Sequence, residues 1–253
     1  MVQSEGDCMI GIILAAGEGK RLRPLTYAIP KPMLPVGGKP VLDYVVENLK
    51  KCKEIKKVYV AVSRSRGTIE NYIGHMDYGV EVELVTTLGW ETGGDLKIVL
   101  NEKEITGPVI VAYGDVVSDI DTADLLAFHR RMKKESTVSL FEVPDDEVNR
   151  FGIAEYDSGL VKRFVEKPKL EDAPSNLANA GCYILEKGAY SQLPLEKKRV
   201  EETLFPHLAK TGELAGYVCK PSHWLDIGTI DAYRKANRLV EGILPPPKSN
   251  GGG

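Results

Sequence analysis

The chain has 253 residues, of which 43% are hydrophobic and 27% are charged, as is ordinary for a globular protein. Its net charge of −3 excludes the strong basic field of a nucleic-acid-binding protein, so we expect no nucleic-acid partner. The longest apolar run, residues 10–16, is far too short to span a membrane, and residues 1–9 lack the pattern of a signal peptide. The four cysteines form no C-x-x-C pair. We therefore expect a cytoplasmic protein with reduced thiols and no membrane partner.

Strands and helices alternate in the first half of the sequence. Apolar runs and alternating patterns predict strands at residues 10–16, 57–62, 80–85 and 109–113. The helical spacing of apolar residues predicts helices at 41–51, 68–75 and 94–101. Asp121 or Thr122 is placed to cap a fourth helix. Such alternation is typical of a parallel sheet with helices on both faces.

The second half of the sequence has fewer helices between its strands. Strands are predicted at residues 137–142, 153–156, 160–165 and 182–185, and DSG at 157–159 is typical of a hairpin turn. Two helices are predicted at 200–209 and 230–240. We therefore expect mixed or antiparallel pairing within one continuous sheet. Residues 1–9 are predicted to be an N-terminal extension, and the proline-rich and glycine-rich residues 242–253 a disordered tail.

The first predicted strand runs into a glycine loop that ends in cations, GEGKRLR at residues 17–23. A dinucleotide fingerprint would need a third glycine where Leu22 stands, and a P-loop would need a glycine where Leu14 stands. Backbone N–H groups of a glycine-rich loop can still bind phosphate oxygens, with Arg21 and Lys31 as nearby positive charges. The order of strand, glycines, cations and prolines favours a nucleotide phosphate site over a basic surface turn.

Several segments together resemble one known family. LAAGEGKRLRPLT followed by IPKPMLPVGGKP resembles the signature of the sugar-phosphate nucleotidylyltransferases. TGGDL, VIVAYGD, FGIAEYD, FVEKPK, NAGCYIL and HWLDIGTIDAYRKAN resemble further segments of that family, in the same order. Each segment alone is a weak signal, whereas the ordered set covers about residues 10–240 and is specific.

The resemblance implies both a fold and a reaction. The fold is an α/β, Rossmann-like three-layer sandwich around a mixed, mostly parallel sheet, with a single domain at residues 10–241. Its nucleotide-binding half would span about residues 10–135, and its sugar-binding half about 136–228. The reaction is the Mg²⁺-dependent transfer of a nucleotidyl group from a nucleoside triphosphate to a sugar 1-phosphate, which releases pyrophosphate. Such chemistry depends on alignment and charge neutralisation.

The resemblance also implies five catalytic residues, which are Arg21, Lys31, Asp115, Lys167 and Asp226. Asp115 and Asp226 would be the two Mg²⁺ ligands, because carboxylate oxygens suit this hard cation. Arg21 would neutralise the leaving pyrophosphate, and Lys31 would contact the nucleotide phosphates at the reacting centre. Lys167 would hold the phosphate of the sugar 1-phosphate.

Further residues are implied to bind the nucleotide and the sugar. The nucleotide-binding positions, where backbone groups would recognise the base and the phosphates, are Leu14, Ala15, Gly17, Gly19, Thr92 and Gly93. Glu166 and Asn179 would hydrogen-bond sugar hydroxyls, and Gly152 would present its backbone N–H group to the sugar.

The sequence departs from the family pattern near both substrates. Lys20 stands where the family usually has Thr or Ser, and it would either contact the triphosphate or point to solvent. Glu91 stands where many members have glycine, and Trp90 would flank the base or cap its pocket. Thr86 or Thr87 stands where a pyrimidine-reading glutamine is expected. Uridine, thymidine, cytidine and guanosine nucleotides all stay open, although TGG is reminiscent of cytidylyl- and uridylyl-transferring members.

Two other functions compete with this interpretation. A nucleotide-sugar glycosyltransferase would usually carry a D-x-D metal motif, whereas valines follow Asp115 directly. A non-catalytic, nucleotide-sugar-binding regulatory subunit would usually lose the cations or the metal-binding acids, and all are present here. The sequence after Tyr233 shows no hexapeptide repeat, so we expect neither a second activity nor trimerisation through such a domain. A homo-oligomer of another kind stays open.

Overall fold

The computed structural model describes residues 9–63 and 66–243. Residues 244–253 of the predicted disordered tail and residues 1–8 of the predicted N-terminal extension lie outside the described residues. The predicted start of the tail is wrong by two residues, because Gly242 and Ile243 belong to the last helix, and Met9 belongs to the first strand. The helices are α1 (Leu25–Ala28), α2 (Val41–Leu49), α3 (Arg66–Ile73), α4 (Glu91–Glu102), α5 (Thr122–Met132), α6 (Lys187–Tyr190), α7 (Leu204–Thr211) and α8 (Ile230–Ile243). None of the helices in this part of the chain has the length and apolarity that crossing a membrane requires.

The strands of the first half are β1 (Met9–Leu14), β2 (Pro35–Val36), β3 (Lys39–Pro40), β4 (Ile55–Val62), β5 (Glu81–Thr86), β6 (Val109–Tyr113) and β7 (Val116–Ser118). Those of the second half are β8 (Ser136–Glu142), β9 (Gly152–Asp157), β10 (Leu160–Glu166), β11 (Leu177–Leu185), β12 (Leu214–Val218) and β13 (Trp224–Asp226).

One sheet passes through both halves of the described chain. Its nine strands lie in the order β5-β4-β1-β6-β11-β8-β12-β10-β9. The strands β5, β4, β1 and β6 are parallel neighbours, and β8 is parallel to β12. Only β11 and β10 run opposite to the other seven strands, as their antiparallel pairings show. The predicted mixed, mostly parallel α/β sheet is therefore confirmed.

Helices cover both faces of this sheet and complete three layers. Helices α2, α3, α5 and α8 contribute side chains to the hydrophobic core on one face, and α4, α6 and α7 to the core on the other. Neighbouring residues of β1 divide between the two cores, since Ile13 lies in the first and Ile12 in the second. Burial on both faces explains the continuous apolar run that predicted this strand.

Most predicted elements agree with the structure to within a few residues. The hairpin between β9 and β10 has a two-residue turn, with φ of 50° at Ser158 and 90° at Gly159, as the DSG motif predicts. Asp121 caps α5, because its carboxylate accepts hydrogen bonds from the N–H groups of Ala123 and Asp124. The short strands β7 and β13, and strand β12, were missed by the sequence-based assignment.

The predicted helix at 200–209 is wrong at its start. Helix α7 begins at Leu204, four residues later than predicted. The residues before it form turns, in which the N–H groups of Thr203 and Phe205 both donate to the carbonyl of Val200, three and five residues back, instead of following the α-helical spacing of four. The Val200 N–H group donates to the hydroxyl of Thr92 at 3.0 Å. Residues 198–200 pack instead against the first turn of α4.

An aromatic cluster in the second core gives a test of the packing. Phe205 on α7 is 0% exposed, and its ring makes edge-on contacts with Tyr183 at 5.1 Å and Phe164 at 5.2 Å between centroids. We expect Phe205→Ala to lower the free energy of unfolding by about 3–5 kcal/mol, because it removes buried apolar area and leaves a cavity. Denaturant unfolding measures this loss. The half-buried Phe128 is the matched control, and an equal loss in Phe128→Ala would contradict the assignment.

Candidate active site

Two aspartates meet at the carboxyl end of the parallel strands. Strand β6 leads through Gly114 to Asp115, and β7 follows directly. Strand β13 pairs antiparallel with β7 and sets Asp226 opposite Val116. The Ile227 N–H group donates to the carbonyl of Asp115 at 3.1 Å, which extends the pairing by one residue. This β7–β13 ribbon therefore brings together the two residues predicted to bind metal.

Lys31, which follows the glycine loop in the sequence, contacts one member of this pair. Its ammonium group donates a hydrogen bond to the carboxylate of Asp115, and its side chain is only 12% exposed. Pro30 and Pro32 flank Lys31, which begins a short 3-10 turn. Fixed φ angles at both neighbours restrict the backbone that carries the ammonium group. The structure thus brings Lys31 together with Asp115 as predicted.

The environment of Asp226 disfavours its negative charge. Burial raises the pKa of the Asp226 carboxyl most strongly, and the neighbouring Asp115 carboxylate raises it further. Lys31 and Arg21 act in the opposite direction, and the Gly228 N–H group donates to the Asp226 carboxylate at 2.7 Å. In this state of the protein, a cation held between the two aspartates would relieve their repulsion.

Gly228 leaves the space that Arg21 needs. A Cβ atom at Gly228 would lie 2.9 Å and 3.0 Å from the carboxylate oxygens of Asp226, and 3.3 Å from the Nη2 atom of Arg21. Any larger residue would therefore push against both functional groups. Arg21, Lys31, Asp115 and Asp226 form one group, which we call the charged cluster.

The donor set of the charged cluster fits Mg²⁺. Magnesium in phosphate-transfer sites commonly takes one or two carboxylates from the protein and its remaining ligands from phosphates and water. Asp115 and Asp226 supply two carboxylates side by side. Across residues 9–63 and 66–243, no group of three or more His, Cys, Asp or Glu side chains is arranged to hold a metal.

The predicted phosphate loop lies at the end of β1, beside the charged cluster. The Gly114 N–H group donates to the carbonyl of Leu14 at 2.9 Å, and a Cβ at Gly114 would lie 2.8 Å from that of Ala15. Gly17 is exposed and has open space where a side chain would be. Gly19 adopts φ of 63°, which favours glycine, and this turns the chain toward Arg21.

The side chain of Lys20 pairs with Glu18, a neighbour in the same loop. Its ammonium group lies 3.2 Å from the Glu18 carboxylate, and its side chain is 68% exposed. Arg23 lies 3.9 Å from the same carboxylate. Of the two roles considered for Lys20, the structure favours the solvent-facing one in this state.

Thr92 and Gly93, predicted to bind the nucleotide, have structural partners in the first turn of α4. The Gly93 N–H group donates to the carbonyl of Lys198 at 2.9 Å. The Thr92 hydroxyl donates to Glu201 at 2.6 Å and accepts from the Val200 N–H group. Burial raises the pKa of the Glu201 carboxyl, and the hydrogen bond from Thr92 acts in the opposite direction. Nucleotide binding by Thr92 and Gly93 stays a prediction.

The predicted sugar-binding residues lie on β9, β10 and β11. Gly152 is opposite Glu166 in the sheet, and a Cβ at Gly152 would lie 2.9 Å from the Glu166 carboxylate. The Asn179 side chain donates to the Tyr113 hydroxyl at 3.2 Å, from the strand next to β6. Lys167 follows β10 and lies 3.3 Å from Glu166.

Two arginines near these residues escaped the sequence-based prediction. Arg150 Nη2 lies 4.0 Å from the Asp226 carboxylate, which links the sugar-binding half to the charged cluster. Arg199 lies 3.0 Å from Glu91 and 3.8 Å from Glu166. Arg150 directly precedes the FGIAEYD segment. This position beside a motif is the only feature of the sequence that could have indicated a functional role for it. Arg199 lies among other charged residues in EKKRVEE and gave no signal.

A glycine loop and a carboxylate pair at the ends of parallel strands define a nucleotide-binding α/β protein. Residues 10–242 match the family model of the nucleotidyl transferases, and the chain therefore belongs to that family. The predicted membership of the sugar-phosphate nucleotidylyltransferases, a family of enzymes, is confirmed by the relatives that follow.

Curated relatives support the family along nearly the whole chain. The chain is 35% identical over 249 residues to mannose-1-phosphate guanylyltransferase of Mycobacterium tuberculosis. The aligned region covers 95% of this chain and 67% of that relative. The chain is also 31% identical over 246 residues to UTP–glucose-1-phosphate uridylyltransferase of Synechocystis, covering 92% of this chain and 63% of the relative. The chain thus spans about two thirds of the length of these relatives.

Solved structures agree in fold. A putative glucose-1-phosphate thymidylyltransferase from Bacillus anthracis superposes with a TM-score of 0.83 at 25% identity, covering 94% of this chain and 97% of that one. A UDP-glucose pyrophosphorylase complexed with UDP-glucose gives a TM-score of 0.81 at 22% identity, covering 94% and 100%. The predicted fold class is confirmed.

The carboxylate pair predicts a gain in stability when one charge is removed. Because its surroundings raise the pKa of Asp226, the folded protein disfavours the carboxylate, and Asp226→Asn keeps an acceptor for the Gly228 N–H group. We expect this substitution to raise the free energy of unfolding at neutral pH by about 0.5–2 kcal/mol in metal-free buffer. Denaturant unfolding with a chelator present measures the change.

The control is Asp119→Asn, on the same side of the fold. Asp119 accepts hydrogen bonds from the Ser222 hydroxyl and the His223 N–H group, and it lies next to a histidine instead of an acid. We expect no gain in stability from this control. A loss of stability in Asp226→Asn would show that the carboxylate is not disfavoured in the folded protein.

Proposed function

We propose that the protein transfers a nucleotidyl group from a nucleoside triphosphate to a sugar 1-phosphate. The observation that carries the proposal is the convergence of Arg21, Lys31, Asp115 and Asp226 beside the glycine loop. This cluster lies at the carboxyl ends of β1 and β6, the edge where open α/β sheets bind their ligands. It combines two cations for phosphate with two carboxylates for a metal.

The reaction needs no covalent bond to the protein. An oxygen of the sugar phosphate attacks the α-phosphorus of the triphosphate, and the bond from that phosphorus to the pyrophosphate oxygen breaks. Arg21 is suited to binding the leaving pyrophosphate because its guanidinium offers a rigid fork of donors. Lys31 would hold the phosphates in line and stabilise the negative charge that moves through the reacting centre.

Asp115 and Asp226 would hold Mg²⁺ together with phosphate oxygens. The bound ion would neutralise phosphate charge and align the triphosphate. Lys31 is paired with Asp115, so binding of substrate and ion would release the ammonium group toward the phosphates. The ion pair therefore keeps Lys31 close to its place of action before substrate arrives.

The remaining predicted residues would form the substrate pockets. Leu14, Ala15, Gly17 and Gly19 line the end of β1 and its loop, on the nucleotide side. Gly152, Glu166 and Asn179 would bind sugar hydroxyls, and Lys167 the sugar phosphate. The contact of Arg150 with Asp226 supports a cleft in which these residues and the charged cluster face one substrate complex.

The relatives suggest which substrates to test first. The M. tuberculosis relative is named a mannose-1-phosphate guanylyltransferase, and the Synechocystis relative a uridylyltransferase for glucose 1-phosphate. We infer GTP with mannose 1-phosphate as the first pair and UTP with glucose 1-phosphate as the second. The greater sequence identity of the first relative supports this order, against the weak indication from the TGG motif.

A pyrophosphate-release assay tests the reaction class. Five nucleoside triphosphates are crossed with several sugar 1-phosphates in the presence of Mg²⁺. We expect pyrophosphate only when both substrates are present, in equal amount to the NDP-sugar formed. Transfer of sugar to an acceptor without pyrophosphate would support a glycosyltransferase instead. Binding of an NDP-sugar without turnover of any pair would support a regulatory protein.

The charged cluster gives a direct prediction for activity. We expect Asp115→Asn to lower kcat/KM by at least ~100-fold, because it removes one carboxylate that would hold the ion and the partner of Lys31. Steady-state pyrophosphate release at saturating Mg²⁺ measures the effect. Asp119→Asn, four residues along the chain, is the matched control and is expected to keep nearly full activity. Full turnover in Asp115→Asn would overturn the metal-binding role.

A further inference from the structure

A chain of charged side chains connects the nucleotide side of the fold with the sugar side. The Nε–H group of Arg199 donates to the Glu91 carboxylate at 3.0 Å. The Nη1 atom of the same arginine lies 3.8 Å from Glu166, whose carboxylate lies 3.3 Å from the ammonium group of Lys167. Glu91 begins α4, and Glu166 ends β10. Arg199 thus bridges two distant elements.

Glu91 adopts a backbone conformation that favours glycine. Its φ is 61°, in the left-handed region that side chains other than glycine rarely adopt. The resemblance to the sugar-phosphate nucleotidylyltransferases places a glycine here in many members. This chain therefore keeps the glycine-type backbone and adds a carboxylate to it. A disfavoured conformation persists where the surrounding structure enforces it, and such positions concentrate at functional sites.

The backbone around Arg199 is fixed without the side chain of Glu91. The carbonyl of Lys198 accepts hydrogen bonds from the N–H groups of Gly93 and Gly94, and Val200 donates to Thr92. What Glu91 adds is the direction of the guanidinium. Loss of the Glu91 carboxylate would leave the backbone of residues 198–200 in place and free only the arginine side chain.

Without Glu91, the guanidinium of Arg199 could pair with a different carboxylate. Glu202 lies 3.7 Å from the Nη1 atom of Arg199 and is exposed, whereas Glu166 is mostly buried. Glu91 binds the Nε edge of the guanidinium, and this leaves Nη1 within reach of both acids. The orientation set by Glu91 therefore decides how much of the guanidinium charge acts on Glu166.

We propose that Glu91 is a positioning residue for the sugar 1-phosphate, because it holds Arg199 beside Glu166 and so orients the carboxylate that would bind the sugar hydroxyls. This inference rests on the proposed function. It adds a second role to the first turn of α4, on top of nucleotide binding. A residue on the nucleotide side of the proposed cleft would thus influence binding of the sugar 1-phosphate.

Glu91→Gly is the main test. Glycine accepts the local backbone without strain, so we expect the melting temperature to stay equal or rise. We expect the KM for the sugar 1-phosphate to rise about tenfold, with the KM for the nucleotide and kcat changed by less than about twofold. A merely structural role would change stability or both KM values together.

Two control variants separate the ion pair from the backbone. Glu91→Gln keeps an oxygen that can accept from Arg199, and we expect the KM for the sugar 1-phosphate to stay within about threefold of the unmodified protein. Glu104 is a second glutamate with positive φ, at 48°, and it lies exposed just beyond α4. Glu104→Gly relieves the same kind of strain away from Arg199, and we expect it to leave both KM values unchanged.

A double-mutant cycle with Glu166→Gln decides whether Glu91 acts through Glu166. We expect Glu91→Gly to raise the KM for the sugar 1-phosphate by less than about twofold in the Glu166→Gln background. Equal effects in both backgrounds, or unchanged KM values for Glu91→Gly in an active enzyme, would overturn the positioning role alone. Absence of turnover by the unmodified protein with every substrate pair would instead overturn the proposed function and this inference with it.

Discussion

The site depends on holding two like charges side by side. Asp115 and Asp226 come from distant parts of the chain, and the pairing of β7 with β13 fixes their separation through backbone hydrogen bonds. Burial of Asp226 and, after it, the neighbouring Asp115 carboxylate oppose ionisation of Asp226, which is why its pKa is raised. The ammonium group of Lys31 offsets part of this cost by pairing with Asp115. The two adjacent carboxylates are therefore suited to binding a cation.

The ribbon that carries this pair needs a firm support. Trp224, two residues before Asp226, packs against Phe141 at 4.5 Å and Phe151 at 5.4 Å between ring centroids. Its indole N–H group also donates to the carbonyl of Ala180 at 2.9 Å. These contacts attach a three-residue strand, too short to be stable alone, to β8 and β11 of the main sheet. Packing of one half-buried aromatic side chain therefore supports the position of a carboxylate.

Sequence patterns predicted the parts of this site that depend on local structure. The apolar run before Asp115 marked β6, and the glycine loop marked the end of β1, because strand ends and loops have clear local signals. The ribbon itself was missed, since each of its strands has three residues and their pairing is a long-range contact. The start of α7 was misplaced because residues 200–203 form turns beside the first turn of α4, and this long-range contact has no local signal in the sequence.

Arg150 and Arg199 show a different limit of prediction. Each lies among charged residues in the sequence, where a solvated arginine is the usual outcome. What distinguishes them is the acid that the fold places opposite, Asp226 for Arg150 and the Glu91–Glu166 pair for Arg199. Such partners come from distant elements of the fold, so no spacing along the chain reveals them.

Backbone conformation separates structural from functional positions where charge patterns cannot. Among the described residues other than glycine, positive φ occurs at Glu104, Lys133 and Ser158, just after a helix, at a helix C-cap and in a hairpin turn, where such angles are ordinary. Glu91 and Lys167 also have positive φ, and both belong to the charged chain through Arg199. Neither lies in a tight turn between paired strands or beyond the end of a helix. Strained backbone at both ends of one ion-pair chain supports the proposed role of these side chains in binding the sugar 1-phosphate.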